Sequence, residues 1–250
     1  MGTEALTRRR SALAALVATT VALGGTACGP RDAGPFEGLT GPRIADRAIE
    51  ATKAADSLTL DLDVTSASGP LKAYLAVDRR GRCAGTLTLG VAGTAELIRT
   101  GDAVYMRYDE AFLRERDKDA PAARRKAVQK ELRRLKERKG KWVRTGLSAP
   151  EAREGLELCD LDALLGRYER AAGSAAVDGR TSVNGRTALR LTERRGAERT
   201  TLYVAAEGEP RLLKIVTRGG ERPGTIAFPS YDAPVPATRP AAGNVVERSG

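Results

Sequence analysis

Residues 57–65 read SLTLDLDVT, with Leu58, Leu60, Leu62 and Val64 alternating with Thr59, Asp61, Asp63 and Thr65. Side chains of a strand point alternately to its two faces, so this spacing puts four aliphatic groups on one side and two hydroxyls and two carboxylates on the other. The stretch predicts an antiparallel strand with one buried face and one wet face. Just upstream the period changes. Between residues 43 and 55, Ile44, Ala48, Ala51 and Ala55 recur near helical spacing while Asp46, Arg47, Glu50 and Lys53 take the other side, which predicts an amphipathic helix feeding the strand.

Downstream, the two-residue period returns at short intervals. Strands are expected at 71–78 and 82–89 around Arg80-Gly81, and at 94–99 and 103–108 around Gly101-Asp102, as a meander with tight turns. An interruption at 109–140 follows, then a short strand at Trp142 and Val143. Ser148-Ala149-Pro150-Glu151 matches the S-x-x-E capping box, and Asp160 is placed to cap a helix carrying Leu161, Leu164, Leu165 and Tyr168. A second meander is expected at 175–183, 186–194, 198–205, 210–217 and 224–230, joined by Asn184-Gly185, Arg195-Gly196, Gly208 and Gly219-Gly220. The total is about eleven strands.

A sheet this long must curl, and its apolar face needs a cover. The expected fold is therefore α+β: a strongly curved antiparallel half-barrel whose concave face is closed by helices. At 250 residues the chain suits one domain, expected at 43–235 with the insertion at 109–140. Hydrophobic residues make up 41% and aromatics 4%, so the core is aliphatic.

The N-terminal stretch carries a different message. Arg8, Arg9 and Arg10 precede an uncharged run from residue 11 to 27 that ends in small residues before Cys28, the pattern of a secretory signal. Thr19, Thr20, Gly24, Gly25 and Thr26 dilute its hydrophobicity, which disfavours a permanent transmembrane anchor. Gly25-Thr26-Ala27-Cys28 is similar to the bacterial lipobox, in which the Cys is diacylated and becomes the new N-terminus, although Gly25 stands where Leu is usual. The other reading is a signal cut by the general peptidase, leaving Cys28 an ordinary thiol. Cysteine parity favours acylation, because Cys83 and Cys159 remain as an even pair for one disulfide outside the cell. Free buried thiols are the alternative for that pair. Residues 1–27 then form the signal, 28–42 an acylated tether rich in Gly and Pro, and 236–250 a flexible tail.

These features together resemble the actinobacterial LppX/LprG family of lipoproteins, with the LolA-like half-barrel fold. The resemblance is carried by Cys28 and its tether, by the helix ending in Asp56-Ser57-Leu58-Thr59-Leu60, and by the turns at Gly81 and Gly101. Gly140-Lys141-Trp142-Val143, Val183-Asn184-Gly185-Arg186, Ala188-Leu189-Arg190-Leu191, Thr201-Leu202-Tyr203-Val204 and Pro210-Arg211-Leu212-Leu213-Lys214-Ile215 continue it. It implies a protein on the extracytoplasmic face of the cell membrane that holds a lipid or glycolipid between sheet and helices and passes it on within the envelope. Acyl chains need an aliphatic, poorly hydrated cavity rather than polar chemistry, at about 0.8 kcal/mol per buried methylene.

Candidate cavity residues are those of the apolar strand faces: Leu60, Leu62, Leu75, Val77, Leu87, Leu89, Val104, Met106, Leu189, Leu191, Leu202, Val204, Leu213, Ile215, Ile226 and Phe228. Alternation alone does not distinguish a lined cavity from a packed core, because both need the same face apolar. The second functional reading is therefore a filled-core envelope protein acting as a scaffold, sensor or partner-binding module.

Net charge is +10, and its distribution is uneven. Residues 114–141 hold thirteen Lys or Arg against five Asp or Glu, and the rest of the chain from Cys28 onward is formally neutral. Ala127, Val128, Leu132 and Leu135 form a narrow apolar stripe on a helix otherwise covered by Arg124, Arg125, Lys126, Lys130, Arg133, Arg134, Lys136 and Arg138. Such a helix suits either anionic lipid headgroups near a cavity mouth or plain solvation. The insertion departs from the family pattern. Nucleic acid is not an expected partner, since no aromatics interleave the charges and the signal directs the chain out of the cytosol.

The absence of His excludes imidazole catalysis and His-ligated zinc. There is no Gly-x-Ser-x-Gly, Ser-x-x-Lys, P-loop or Gly-x-Gly-x-x-Gly, so no enzyme activity, cofactor or metal is expected. Asp61 with Asp63 reads as the wet face of a strand, and Asp160 with Asp162 as helix-start acids.

Overall fold

The computed structural model describes residues 35–66, 69–90, 93–112, 140–147 and 153–247, together with seven positions between 122 and 137. The signal, Cys28 and the capping box at 148–151 lie outside them. Twelve strands form one open sheet in the order β12-β6-β5-β4-β3-β2-β1-β11-β10-β9-β8-β7. They are β1 (Ser57–Ser66), β2 (Gly69–Asp78), β3 (Cys83–Leu89), β4 (Gly93–Arg99), β5 (Ala103–Tyr108) and β6 (Trp142–Gly146). After the helices come β7 (Ala176–Val183), β8 (Arg186–Arg195), β9 (Glu198–Ala205), β10 (Leu212–Arg218), β11 (Gly224–Ala227) and β12 (Val245–Glu247). The first meander runs outward from the middle, and the second runs inward from the far edge. They meet where β1 pairs with β11, so residues early and late in the chain share the sheet's centre.

The helices are α1 (Gly41–Lys53), α2 (Arg153–Leu158) and α3 (Leu161–Ala172). The face that α1 buries comprises Ile44, Ala45, Ala48, Ile49 and Thr52. Two of these are alanines, which lets α1 settle onto β7, β9 and β10 and against α3. Asp160 caps α3 by accepting from the N–H groups of Asp162 and Ala163, both at 3.0 Å. Lys53 at the end of α1 meets Asp162 at 2.8 Å and Glu169 at 2.6 Å. Hydrogen bonding to Asp162, then to Glu169, raises its pKa.

Turn chemistry follows the residues that demand it. Asn184 and Gly185 both have positive φ, 50° and 78°, as a two-residue type I′ hairpin requires. Asp78 organises the β2–β3 turn: one carboxylate oxygen accepts from the N–H groups of Arg80 and Arg82, and the other from Arg82 Nε. Gly85 sits mid-strand with φ 157°, where a Cβ would come 2.0 Å from the Tyr74 carbonyl oxygen. A glycine in a strand interior marks a bend or a close backbone approach, and here β2 and β3 use it to fold tightly together.

Two boundaries differ from the sequence reading. The expected tether includes Phe36 and Leu39, which pack against the core, and α1 already begins at Gly41. The expected flexible tail is ordered through Glu247. Its strand β12 adds in parallel to β6, pairing Val245 with Trp142 and Val246 with Val143. The physical reason is the outer face of β5 and β6, where Tyr105, Trp142 and Ala103 form an apolar cluster that Val245 covers. Polar contacts hold the approach: Lys141 Nζ donates to Gly243 O at 2.8 Å, and Arg239 meets Asp102 at 3.1 Å.

A third difference concerns β10. Strict alternation through Ile215 puts Leu213 inside, but the register shifts between Leu212 and Lys214. This bulge turns Leu212 into the main core and Leu213 to the opposite face, against Ala188 and Ala205. Leu212 then needs other partners for its backbone: its N–H donates to Thr52 Oγ1 at 2.9 Å, and its C=O accepts from the Tyr231 hydroxyl. Thr52 Oγ1 in turn donates to the Ala48 carbonyl at 2.7 Å.

Two expected outcomes follow for stability, both read from urea unfolding. Thr52→Val strands the buried Leu212 N–H and lowers stability by about 1–3 kcal/mol. Gly85→Ala forces the backbone apart and costs about 1–3 kcal/mol or more, whereas Gly101→Ala, with nothing within 4 Å of the added Cβ, changes it by less than about 0.5 kcal/mol.

Candidate functional site: the concave face and its uncovered end

Thirteen of the sixteen candidate residues share one continuous buried cluster with α1 and α3. Among the others, Met106 is partly buried against that cluster and Leu213 is on the opposite face, as the bulge dictates. Leu89 pairs with Leu71 in the ladder, and its side chain lies outside the described residues. Alternation missed Leu212 for the same reason that it misplaced Leu213. It also passed over Leu97, which pairs with Met106 and is 1% exposed.

Register arranges these side chains in rows. One row runs Leu62, Ala73, Leu87, Ala95, Tyr108 across β1 to β5. A second runs Leu60, Leu75, Gly85, Leu97, Met106. The first alternates bulky and small residues and the second has one small residue, so the side-chain layer is thinnest at Ala73, Ala95 and Gly85.

The two ends of this half differ in cover. At the end nearest the α2–α3 junction, Leu58, Leu60, Leu75, Val77 and Cys83 are at most 2% exposed. Cys83 is joined there to Cys159, in a disulfide with a Cα–Cα distance of 5.6 Å and a sequence separation of 76. At the other end Val64 and Leu71 are only partly buried, as are Tyr108 and, one row nearer the disulfide on the outlying strand β5, Met106. Tyr108 rests on Phe112 with ring centroids 5.1 Å apart, and its hydroxyl donates to Met106 Sδ at 3.2 Å. Asp109 holds this corner: its carboxylate accepts from the Phe112 N–H at 2.6 Å and the Thr94 N–H at 3.0 Å.

The basic segment joins the sheet at the same end. It leaves after Phe112, just past the end of β5, and returns at Gly140 before β6, whose Val143 pairs with Met106. Of the expected basic face, Lys126, Lys130, Arg133 and Lys136 are helical and exposed, three or four positions apart. Arg124, Arg125, Arg134 and Arg138 lie outside the described residues.

The carboxylate pairs have structural positions. Asp61 and Asp63 are exposed on the outer face, with Asp63 meeting Lys72 at 2.8 Å. Asp160 is the α3 cap. Among the described residues, no three His, Cys, Asp or Glu side chains gather as metal ligands would, and no helix is long and apolar enough to cross a membrane.

No protein-family model matches the chain, and no curated protein matches it. Solved structures do. LprF from Mycobacterium bovis superposes with a TM-score of 0.53 over 81% of this chain and 97% of that one, at 15% identity. The Mycobacterium tuberculosis lipoprotein LppX superposes over 79% of this chain and 97% of that one, at 12% identity and a TM-score of 0.48. The LprF superposition is the one that bears on the fold, and with the sheet order and helical cover it gives the chain the half-barrel fold of LprF.

Proposed function

We propose that this protein is an extracytoplasmic lipoprotein, anchored to the cell membrane through acylated Cys28, that binds a lipid-like ligand between sheet and helices and hands it on without chemical change. The observation that carries the reading is the asymmetry of the concave face. One apolar surface is sealed at the disulfide end and left partly uncovered at Val64, Leu71, Met106 and Tyr108. An acyl chain entering there extends the core from those four partly buried side chains, gaining about 0.8 kcal/mol per methylene buried. No polar group needs to react.

The basic segment fits this placement. Both its ends attach beside the uncovered corner, and its exposed Lys126, Lys130, Arg133 and Lys136 supply charge for anionic headgroups. Two acyl chains on one sulfur hold a protein on a bilayer, where one gives only reversible binding. The Cys83–Cys159 bond fits an oxidising location outside the cytosol.

Native mass spectrometry of the protein purified in mild detergent tests the ligand. The expected result is lipid-sized adducts that disappear on organic extraction and fall at least several-fold in Met106→Lys. A clean apo mass with no uptake of a fluorescent fatty acid overturns the carrier reading in favour of a filled-core scaffold. Intact mass tests the anchor: loss of residues 1–27 with a diacylglyceryl increment on Cys28 is expected, and recovery of an unprocessed, unacylated chain contradicts it.

A further inference from the structure

Around β1, β11 and β10 the outer face of the sheet is mostly polar, and it carries a groove of about 900 Å³. Asp61, Asp63 and Thr65 of β1, Thr225 and Ala227 of β11, and Lys214 of β10 are among the residues that line it. Tyr203, Thr181, Ser182 and Asn184 contribute from the other side. A small apolar cluster of Ala188, Ala205 and Leu213, with Val183 and Tyr203 packed against it, supports that side. The β10 bulge that turns Leu213 outward thus helps to build the groove.

Register sets an ordered row of side chains here. Tyr74 pairs with Asp61, Asp61 with Ala227, Ala227 with Lys214, and Lys214 with Tyr203. Two aromatic rings therefore flank a carboxylate and an ammonium, with a small residue between the charges. Four interstrand steps separate the tyrosines, about 19 Å along the sheet. Tyr74 is 56% exposed, which is unusual for a ring with nothing to do in the core.

We infer that this row and groove form a second binding site, on the face opposite the concave one, for a neutral polyhydroxylated chain such as a glycan. An acyl chain finds a lining that is mostly polar, and a peptide finds an open trough rather than an enclosed pocket for an anchoring side chain. An anionic polymer meets Asp61 and Asp63, and a cationic one meets Lys214. A sugar offers donors and acceptors together, matching carboxylate, ammonium, hydroxyl and amide groups in one open trough. Its C–H face also suits the electron-rich face of a tyrosine ring. The site uses none of the concave residues, so it stands or falls independently of the lipid proposal.

Isothermal titration of the full-length protein with maltohexaose and with chitohexaose, two neutral hexasaccharides, tests it. Saturable binding of at least one is expected, insensitive to a tenfold rise in salt. Asp61→Ala and Lys214→Ala, both at surface positions, each weaken it by about tenfold or more, while Met106→Lys at the concave mouth leaves it unchanged. The inference fails if neither sugar binds, or if both outer-face variants retain the parent affinity.

Discussion

The register of β1 against β11 is the constraint on which the rest depends. Leu62 opposite Ile226 joins two rows that otherwise belong to separate meanders. Through that pair, one apolar row runs Tyr108, Ala95, Leu87, Ala73, Leu62, Ile226, Ile215, Leu202, Leu191. The adjacent residues form the matching outer row: Arg107, Glu96, Thr86, Tyr74, Asp61, Ala227, Lys214, Tyr203, Arg190. A slip of one residue at the seam would set the aliphatic face of one meander beside the wet face of the other. The seam is short, and its ends are fastened by further bonds. Thr65 N–H donates to Pro223 O at 2.9 Å, Thr59 N–H to Ser230 O at 2.9 Å and Asp232 N–H to Ser57 O at 2.8 Å. Arg211 pairs with Asp232, a hydrogen bond that holds the Asp232 carboxyl below its ordinary pKa.

Given that seam, the helices can cover only part of the sheet. The contacts of α1 fall on the β7 to β10 half, and α3 packs beside it. The disulfide draws the start of α3 to the beginning of β3. Among the described residues, the concave side chains left only partly buried on the first meander are Val64, Leu71, Met106 and Tyr108, on the side where the basic segment begins and ends. Tight closure at one end and partial cover at the other follow from where short helices and one covalent link reach.

Much of this was legible from period alone. Eleven strands, the helix before β1, the Asp160 cap, the Asn184-Gly185 turn and the wet placement of Asp61 and Asp63 all follow from local chemistry. The order of the strands is another matter, because nothing within residues 58–65 says that 224–227 will be their neighbour. Leu213 shows a different limit: a bulge inserts one residue, and alternation counted from Ile215 then assigns the wrong face. The tail is a third case. Its three paired residues are too few to carry a recognisable period, and they are held by Trp142 and by Lys141 and Arg144, which reach Gly243 O and Glu247 from far away in sequence. The concave candidates emerged as a set because burial and cavity lining share one pattern, and the uncovered end became visible only once register showed which ends of β1 to β5 lie together.

Met106 offers the most direct test. The chain has two methionines, and the other is Met1, so a methionine methyl label reports on the uncovered corner beside Leu97 and Tyr108. Titrating methyl-labelled protein with a single-chain lysophospholipid below its micelle concentration should move the Met106 methyl resonance saturably, at a stoichiometry near one. A resonance that stays in place while the protein remains folded would contradict the account, because a side chain at the mouth of a lipid site must sense the chain that enters it.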